Sequence, residues 1–559
     1  MKAGRRRSLY GLGAVLSLVL LDCAQLKFLK PPSVPKALGP TSLERGPAFG
    51  PEPAGRIDTL NDWATYNRTL EGNRGSPLAD IDTTNVARLV PICSFDLGER
   101  ASFQSGPVVV GGTMYVTTAQ RTYAIDAASC ALRWKHTYNY RPHPDFDLKV
   151  NRGVAYADGR LFRGSNDGRV YALDARTGQT LWNVVAADVT KGETFPAAPI
   201  AWGDLVFIGN AGGDNFGVTG RMMAFDAHTG GRVWTFGLIP EVGEASRTWP
   251  PSTEVVPKGG GATWTSYALD TLAGSIFLAA GNASPDFLDQ VRSGTNLYTY
   301  SVVELDTRLG TLKSSTQLLK KDNHDWDVAA APSLITTARG QRLIAQAGKD
   351  GYFYALDRKT GAVRYRTAVT QMHNVDAPLT ADGTRFCPGV NGGVEWNSPT
   401  YSSTSDAFFV NAIDWCTTVR VAPAAKLQGK LGLPWTGSSQ LRHPFGVQDS
   451  AWGGWLTAID AESGQIRWRY HSPTPLVAGI TSTAGGLVFT GDLRGEFMAF
   501  DARTGTIRWH YPTGQAIGGG VVTYRAGGKQ LIAVASGMHS PMTWKLKSPP
   551  AKVIVFGLP

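Results

Sequence analysis

The chain has 559 residues, among them 65 Gly, 33 Pro and 16 Trp, with 42% hydrophobic and 18% charged residues. Glycine exceeds its usual share of about 7% while proline stays near its average, and the apolar content is ample for a core, which excludes a low-complexity or disordered chain. The net charge is +10, and beyond the first 22 residues the basic residues are scattered without a run, so nucleic acid is not an expected partner. Excess Gly with excess Trp fits tight turns between short strands, each unit carrying an aromatic plug, and disfavours a helical bundle.

At the N-terminus, Arg5-Arg6-Arg7 precedes an apolar stretch from Leu9 to Leu21. That stretch suits a signal peptide and falls short of the roughly 20 residues of a spanning helix. Residues 1–22 are therefore read as an export signal, 23–60 as a linker and 61–559 as one large domain, with no transmembrane span after the leader. Leu20-Leu21-Asp22-Cys23 is a partial lipoprotein cleavage pattern, with Asp22 where a small residue is wanted. A lipid anchor at Cys23 is the secondary expectation.

Along the rest of the chain one phrase recurs: apolar residues, Asp, a short turn with Thr-Gly or Ser-Gly in most copies, then an aromatic. It reads AIDAASCALRW (Asp126, Trp134), YALDARTGQTLW (Asp174, Trp182), MAFDAHTGGRVW (Asp226, Trp234) and VELDTRLGTLK (Asp306, aromatic lost). It continues as YALDRKTGAVRY (Asp357, Tyr365), TAIDAESGQIRW (Asp460, Trp468) and MAFDARTGTIRW (Asp501, Trp509). The widest gap, from Asp357 to Asp460, is about two periods, and Asp414 near its midpoint is read as a worn eighth copy. Each copy predicts strand, turn, strand, preceded by a hairpin such as GVAYADGRLFRGSNDGRVYALD, with turns at Asp158-Gly159 and Asp167-Gly168. Four short strands every ~50 residues is the period of a propeller blade. The expected fold is an all-β, eight-bladed β-propeller with tryptophan-docking repeats, its blades running from about Arg88, and with the stretch around Trp63 outside the blades or closing the ring. In the repeats Asp caps the turn, Gly takes a left-handed conformation and Trp packs between blades.

Export places the cysteines in an oxidising compartment. Beyond Cys23 there are four, and neighbour pairing, Cys93–Cys130 and Cys387–Cys416, is the simplest of three connectivities. The absence of C-x-x-C and C-x-x-C-H disfavours a zinc ribbon, a thioredoxin-like site and an attached c-type haem.

Function is sought where the repeats are interrupted, since loops on a rigid scaffold carry sites. The insertions between Asp226 and Asp306 and between Asp357 and Asp460, with the segment just after Asp306, hold KGGGATW, GNASPDF, HDWD and AGKDGYFYALDR. With VNRGVAYADGR and AGGLVFTGDLRGEF, in this order, they make the chain resemble the pyrroloquinoline quinone (PQQ)-dependent alcohol dehydrogenases of the methanol and ethanol dehydrogenase type, over about Asp62 to Gly557. The resemblance implies Asp327 as catalytic base and, with Asn282, as a ligand of Ca²⁺, a hard ion that takes oxygen donors. It implies Trp264 stacking beneath the cofactor, Lys349 near the quinone oxygens, Arg152 on a cofactor carboxylate, and Asn411 and Gln104 as further cofactor contacts. It also implies a Cys387–Cys416 disulfide.

Three departures stand out. Where the family has a metal-binding Glu this chain reads GGDNFGVTG, putting Asn215 at the aligned position and Asp214 beside it. The family's vicinal cysteine pair is absent, with Phe146-Asp147 in its place, and Val477 stands where methanol dehydrogenases carry a Trp. Lanthanide-using members have an acid two residues after the base; here that residue is Ala329, which favours calcium. The resulting expectation is a periplasmic quinoprotein that oxidises a small alcohol with PQQ on Ca²⁺ and passes electrons to a separate c-type cytochrome or another acceptor. The alternatives are a quinoprotein-like chain that has lost its cofactor, and a non-catalytic scaffold resembling the outer-membrane assembly lipoprotein.

Overall fold

The computed structural model describes residues 41–50, 57–140 and 149–559. The leader, Cys23 and Phe146-Asp147 lie outside them. Among the described residues the chain forms eight antiparallel sheets of four or five strands and one two-stranded ribbon, Gly259–Gly260 against Ala283–Ser284. Among the described residues no helix is long and apolar enough to cross a membrane.

In seven of the large sheets the third strand ends on a repeat aspartate and the fourth carries the docking position, as in Arg169–Asp174 followed by Thr180–Val185. The predicted turns are present. Asp174 Oδ1 accepts from the Thr177 amide and hydroxyl at 2.7 and 2.8 Å, and Gly178 returns its N–H to the Asp174 carbonyl. That glycine has φ +74°, and a Cβ there would stand 2.7 Å from the Trp134 ring of the preceding sheet. The same contact joins Gly230 to Trp182, Gly310 to Trp234, Gly464 to Tyr365 and Gly505 to Trp468. Each indole then donates across the seam: Trp134 to Ala175 O, Trp182 to Ala227 O, Trp234 to Thr307 O and Trp468 to Ala502 O, at 2.9–3.1 Å. Where the fourth copy lost its aromatic, Thr316 Oγ1 donates to Gly361 O instead.

Two expectations are corrected. Asp414 is not a turn residue: it sits inside the 13-residue strand Ala407–Val419, paired with Val447–Asp460. The wide gap reflects the long segment between Ala368 and Thr400 and the long connection between Val419 and Val447. The eighth sheet instead combines Val521–Ala526, Lys529–Ser536 and Lys552–Gly557 with the N-terminal strand Val90–Asp96, so the two ends of the domain close the ring by hydrogen bonding. Its seam to the first sheet uses the Cys93–Cys130 disulfide. Cys130, with φ +60°, occupies the position that the other turns give to glycine. The second correction concerns the linker, because Ser42–Arg45 within it adds a fifth strand to the first sheet, pairing with Trp134–Thr137.

The stretch around Trp63 threads the middle of the molecule. Leu70 O and Glu71 O accept from Leu269 N and Leu334 N, and Ser76 N donates to Ser482 O. Arg74, fully buried, donates to Ile480 O, Tyr66 O and Val521 O at 2.9–3.3 Å. One guanidinium thus ties this segment to two neighbouring sheets.

Candidate active site

The four phrases that break the repeats converge on Asp327. Its Oδ1 accepts the Asn282 N–H at 2.8 Å and its Oδ2 accepts the Trp264 indole N–H at 3.2 Å. Lys349 Nζ lies 2.9 Å from Asp327 Oδ2 and 3.3 Å from Asp325 Oδ2. The backbone enforces the meeting, since Lys349 N donates to Asp327 O at 3.0 Å. Gly281 is required here, because a Cβ would stand 2.4 Å from Asp327 Oδ1. The glycines before Trp264 face Asn282: a Cβ on Gly260, at φ +99°, would meet Asn282 O at 2.3 Å. They let the backbone approach the Asn282 loop.

The loop before Asp327 is built on Asp322, whose Oδ2 accepts the His324 and Trp326 amides at 3.0 Å while Oδ1 contacts His324 Nδ1. Arg292, buried, holds the facing loop by donating to Pro285 O and Asp286 O at 2.8 and 2.9 Å. Arg152 lies over Trp264 at 4.8 Å and over Trp396 at 5.3 Å, donates to Trp264 O, and leaves its Nε without a partner. Trp264 is half-buried among buried neighbours, with the Lys349 ammonium 5.9 Å from its ring centre.

Two acids not singled out from the sequence join the site. Asp286 accepts the Asn282 side-chain amide at 2.8 Å, and oxygens of Asp214, Asp286 and Asp325 lie within 4.8 Å of one another. Burial, and then the charge of Asp327, pushes Asp214 up to about 6. Burial and mutual repulsion hold Asp286 and Asp325 well above the usual carboxylate range. Burial works against the Lys349 charge, but Asp325, Asp327 and Glu395 together hold its pKa well above the ordinary ammonium value. Glu395, beside Lys349 and Arg152, is raised to about 7 by burial. The signal for Asp286 and Asp325 was in the sequence, inside GNASPDF and HDWD, but acids near Pro, Asn and Trp read as turn residues.

The other expected contacts have the following neighbours. Asn215 turns its amide to Gly192 O at 3.3 Å, and its neighbour Asp214 supplies the carboxylate. Asn411 Nδ2 donates to Ala478 O and Thr490 Oγ1 at the seam to the next sheet. Gln104 lines a cavity of about 400 Å³ with Trp544 and His539, and none of Trp264, Asn282, Asp327 or Lys349 lines it. Val477 is buried against Trp396 and Trp544. Cys387–Cys416 is formed, as is Cys93–Cys130.

The chemistry of this centre agrees with what the chain is similar to. Residues 63–366 match the family described as glucose/ethanol/alcohol dehydrogenase, beta-propeller domain. Residues 453–547, which carry Trp468 and Trp509 and none of the Asp327 cluster, match outer membrane protein assembly factor BamB. The lanthanide-dependent methanol dehydrogenase of Methylacidiphilum fumariolicum is 30% identical over 85% of this chain and 84% of its own. The dehydrogenase subunit of the quinone alcohol dehydrogenase of Gluconacetobacter polyoxogenes is 31% identical over 86% and 72%. Among solved structures, a europium-containing methanol dehydrogenase superposes with a TM-score of 0.78 at 27% identity, covering 89% of this chain and 98% of that one. The quinohemoprotein alcohol dehydrogenase of Comamonas testosteroni gives 0.78 at 26% identity, covering 90% and 81%. With a site of buried acids, an indole and a lysine set in an all-β propeller, the chain belongs to the PQQ-dependent alcohol and methanol dehydrogenase family.

Proposed function

We propose that the chain is an exported, periplasmic enzyme that takes a small primary alcohol at Asp327 and hands the electrons to a separate cytochrome. The observation that carries this reading is the placing of Asp327 between the Lys349 ammonium, the Asn282 N–H and the Trp264 indole, beside a cluster of buried carboxylates. When bound, PQQ supplies a two-electron acceptor for the hydride of an alcohol carbon.

The residues present fit such a group. The half-buried indole of Trp264 offers a flat surface, and Arg152, over that ring, has an unpartnered buried N–H suited to a carboxylate. The donor set of Asp214, Asn282, Asp286, Asp325 and Asp327 is all hard oxygen, the chemistry of a Ca²⁺ or lanthanide ion. Ala329 speaks for Ca²⁺, whereas two of the similar proteins are named for a lanthanide.

In this arrangement Asp327 takes the hydroxyl proton of the alcohol. Lys349 holds that carboxylate in place and supplies positive charge where negative charge grows as the alcohol is oxidised. The basic leader, with its short apolar stretch, supports export. Reconstituting the mature protein with PQQ and either Ca²⁺ or La³⁺, then following dye reduction with methanol and ethanol, tests the reading. Alcohol-dependent turnover is expected with at least one metal; no dye reduction with either would sink it.

A further inference from the structure

The base Asp327 follows a turn that its own residues do not hold. Asp325, two positions earlier, is in the left-handed region with φ +65°, a costly conformation for a residue with a Cβ unless its surroundings impose it. Its side chain adds little restraint: Oδ2 meets Lys349 Nζ at 3.3 Å, and Oδ1 has no hydrogen-bond partner. The restraint comes from Asp322. Its Oδ2 accepts the amides on both sides of Asp325, those of His324 and Trp326, each at 3.0 Å. Its Oδ1 lies 3.0 Å from His324 Nδ1, and the His324 ring stacks on Trp326 at 4.2 Å and 15°. The Trp326 indole then donates to Pro388 O at 3.1 Å.

Asp322 is itself fixed. It is buried, and its carbonyl accepts from Arg292 and from the Tyr300 hydroxyl. Burial opposes its charge, but His324 and the two amides hold its pKa below the ordinary value. The turn so clamped brings Asp325 and Asp327 to the same ammonium, 3.3 and 2.9 Å from Lys349 Nζ. We propose that Asp322 is a positioning residue for the alcohol oxidation: by clamping the left-handed turn at Asp325 it sets where the Asp327 carboxylate stands. This deepens the function proposed above and rests on Asp327 as the base.

Three variants test it. Asp322→Ala removes the clamp, Asp322→Asn keeps one side-chain carbonyl for the amides, and His324→Phe keeps a ring on Trp326 without Nδ1. In the cofactor-free full chain, deuterium uptake by a peptide spanning residues 323–330 should speed at least 10-fold in Asp322→Ala, with circular dichroism unchanged. Unchanged uptake overturns the proposal. In the chain loaded with PQQ and Ca²⁺ or La³⁺, kcat for ethanol per bound PQQ should fall at least about 10-fold in Asp322→Ala, since misplacing a reacting group by an ångström costs up to about 100-fold. The fall should be smaller in Asp322→Asn, and KM should stay within threefold in both. A clamp that only stabilised the fold would lower the folded fraction and leave kcat per bound PQQ within twofold, which overturns the proposal. Where Asp322→Ala does not fold, Asp322→Asn and His324→Phe carry the same two readings, and no change in either variant overturns it. Asp327→Asn separates the failures. If it is inactive while Asp322→Ala is fully active, this inference falls and the base stands; if it retains turnover, both fall.

Discussion

Aspartate serves opposite purposes at the seams between sheets and at the centre of the molecule. At the seams, Asp126, Asp226, Asp357, Asp460 and Asp501 each accept turn amides, and several also pair with an arginine seven residues on, as Arg133 does with Asp126 and Arg467 with Asp460. Where burial opposes the charge, these contacts outweigh it, and all five carboxyls are held below their ordinary range. At the centre, Asp214, Asp286 and Asp325 face one another with one lysine to share, and all three are pushed up. The seams are electrostatically closed and stabilise the fold. At the centre, folding confines like charges together.

That contrast can be broken at several points. The largest effect is expected from Asp327→Asn, which keeps the shape but removes the base: turnover with dye should fall at least 100-fold while PQQ absorbance on the protein persists. Retained turnover would remove Asp327 from its role. At the seams, Trp134→Ala deletes a fully buried indole and its bond to Ala175 O, and should cost about 3–5 kcal/mol in denaturant unfolding without a comparable loss of activity in the folded fraction. Opening the closing seam with Cys93→Ala plus Cys130→Ala should cost about 4 kcal/mol by the chain-entropy argument for this loop, and a change near zero would show that strand pairing alone closes the ring.

The pH dependence separates the regions further. Glu395 is raised from 4.5 to about 7, so between those values the folded state holds more protons than the unfolded one. Stability of the metal-free protein should therefore fall as pH rises through that window, the sense opposite to the seam aspartates. Glu395→Gln should flatten the decline between pH 5 and 8 in thermal unfolding without abolishing it, because Asp214, raised to about 6, contributes with the same sign. The smallest effect is expected from Asn215→Glu. Its amide faces Gly192 O, so Tb³⁺ or Ca²⁺ affinity should change less than twofold, and a large gain would return the metal ligand to that position.

The repeats were legible because their chemistry is local. An aspartate, its turn amides and a glycine four residues on lie within one turn, and the docking aromatic follows within one strand. The exceptions were illegible for the same reason. Asp414 satisfies the local pattern in part, but it lies mid-strand, with Oδ2 accepting the Trp455 indole at 3.2 Å. Cys130 in the glycine position showed no sign of closing the ring until Cys93 came beside it.

At the site, Trp264, Asn282, Asp327 and Lys349 were found through the order of their phrases, and folding brings them together. Asp286 and Asp325 stood in those phrases unnoticed, because an isolated acid has no sign of its own until other acids face it. The choice between Asp214 and Asn215 depended on which way each side chain leaves the backbone, something adjacent positions in a loop do not reveal.

The sequence by itself determined the repeating unit, its all-β character and the residues that interrupt it, since each depends on contacts a few residues apart. Only the tertiary structure decided how the ring closes, which acids share one volume and which carboxylate oxygens are left without a partner. Those are properties of groups up to hundreds of residues apart in the chain, set by burial and by the sum of charges that folding confines together.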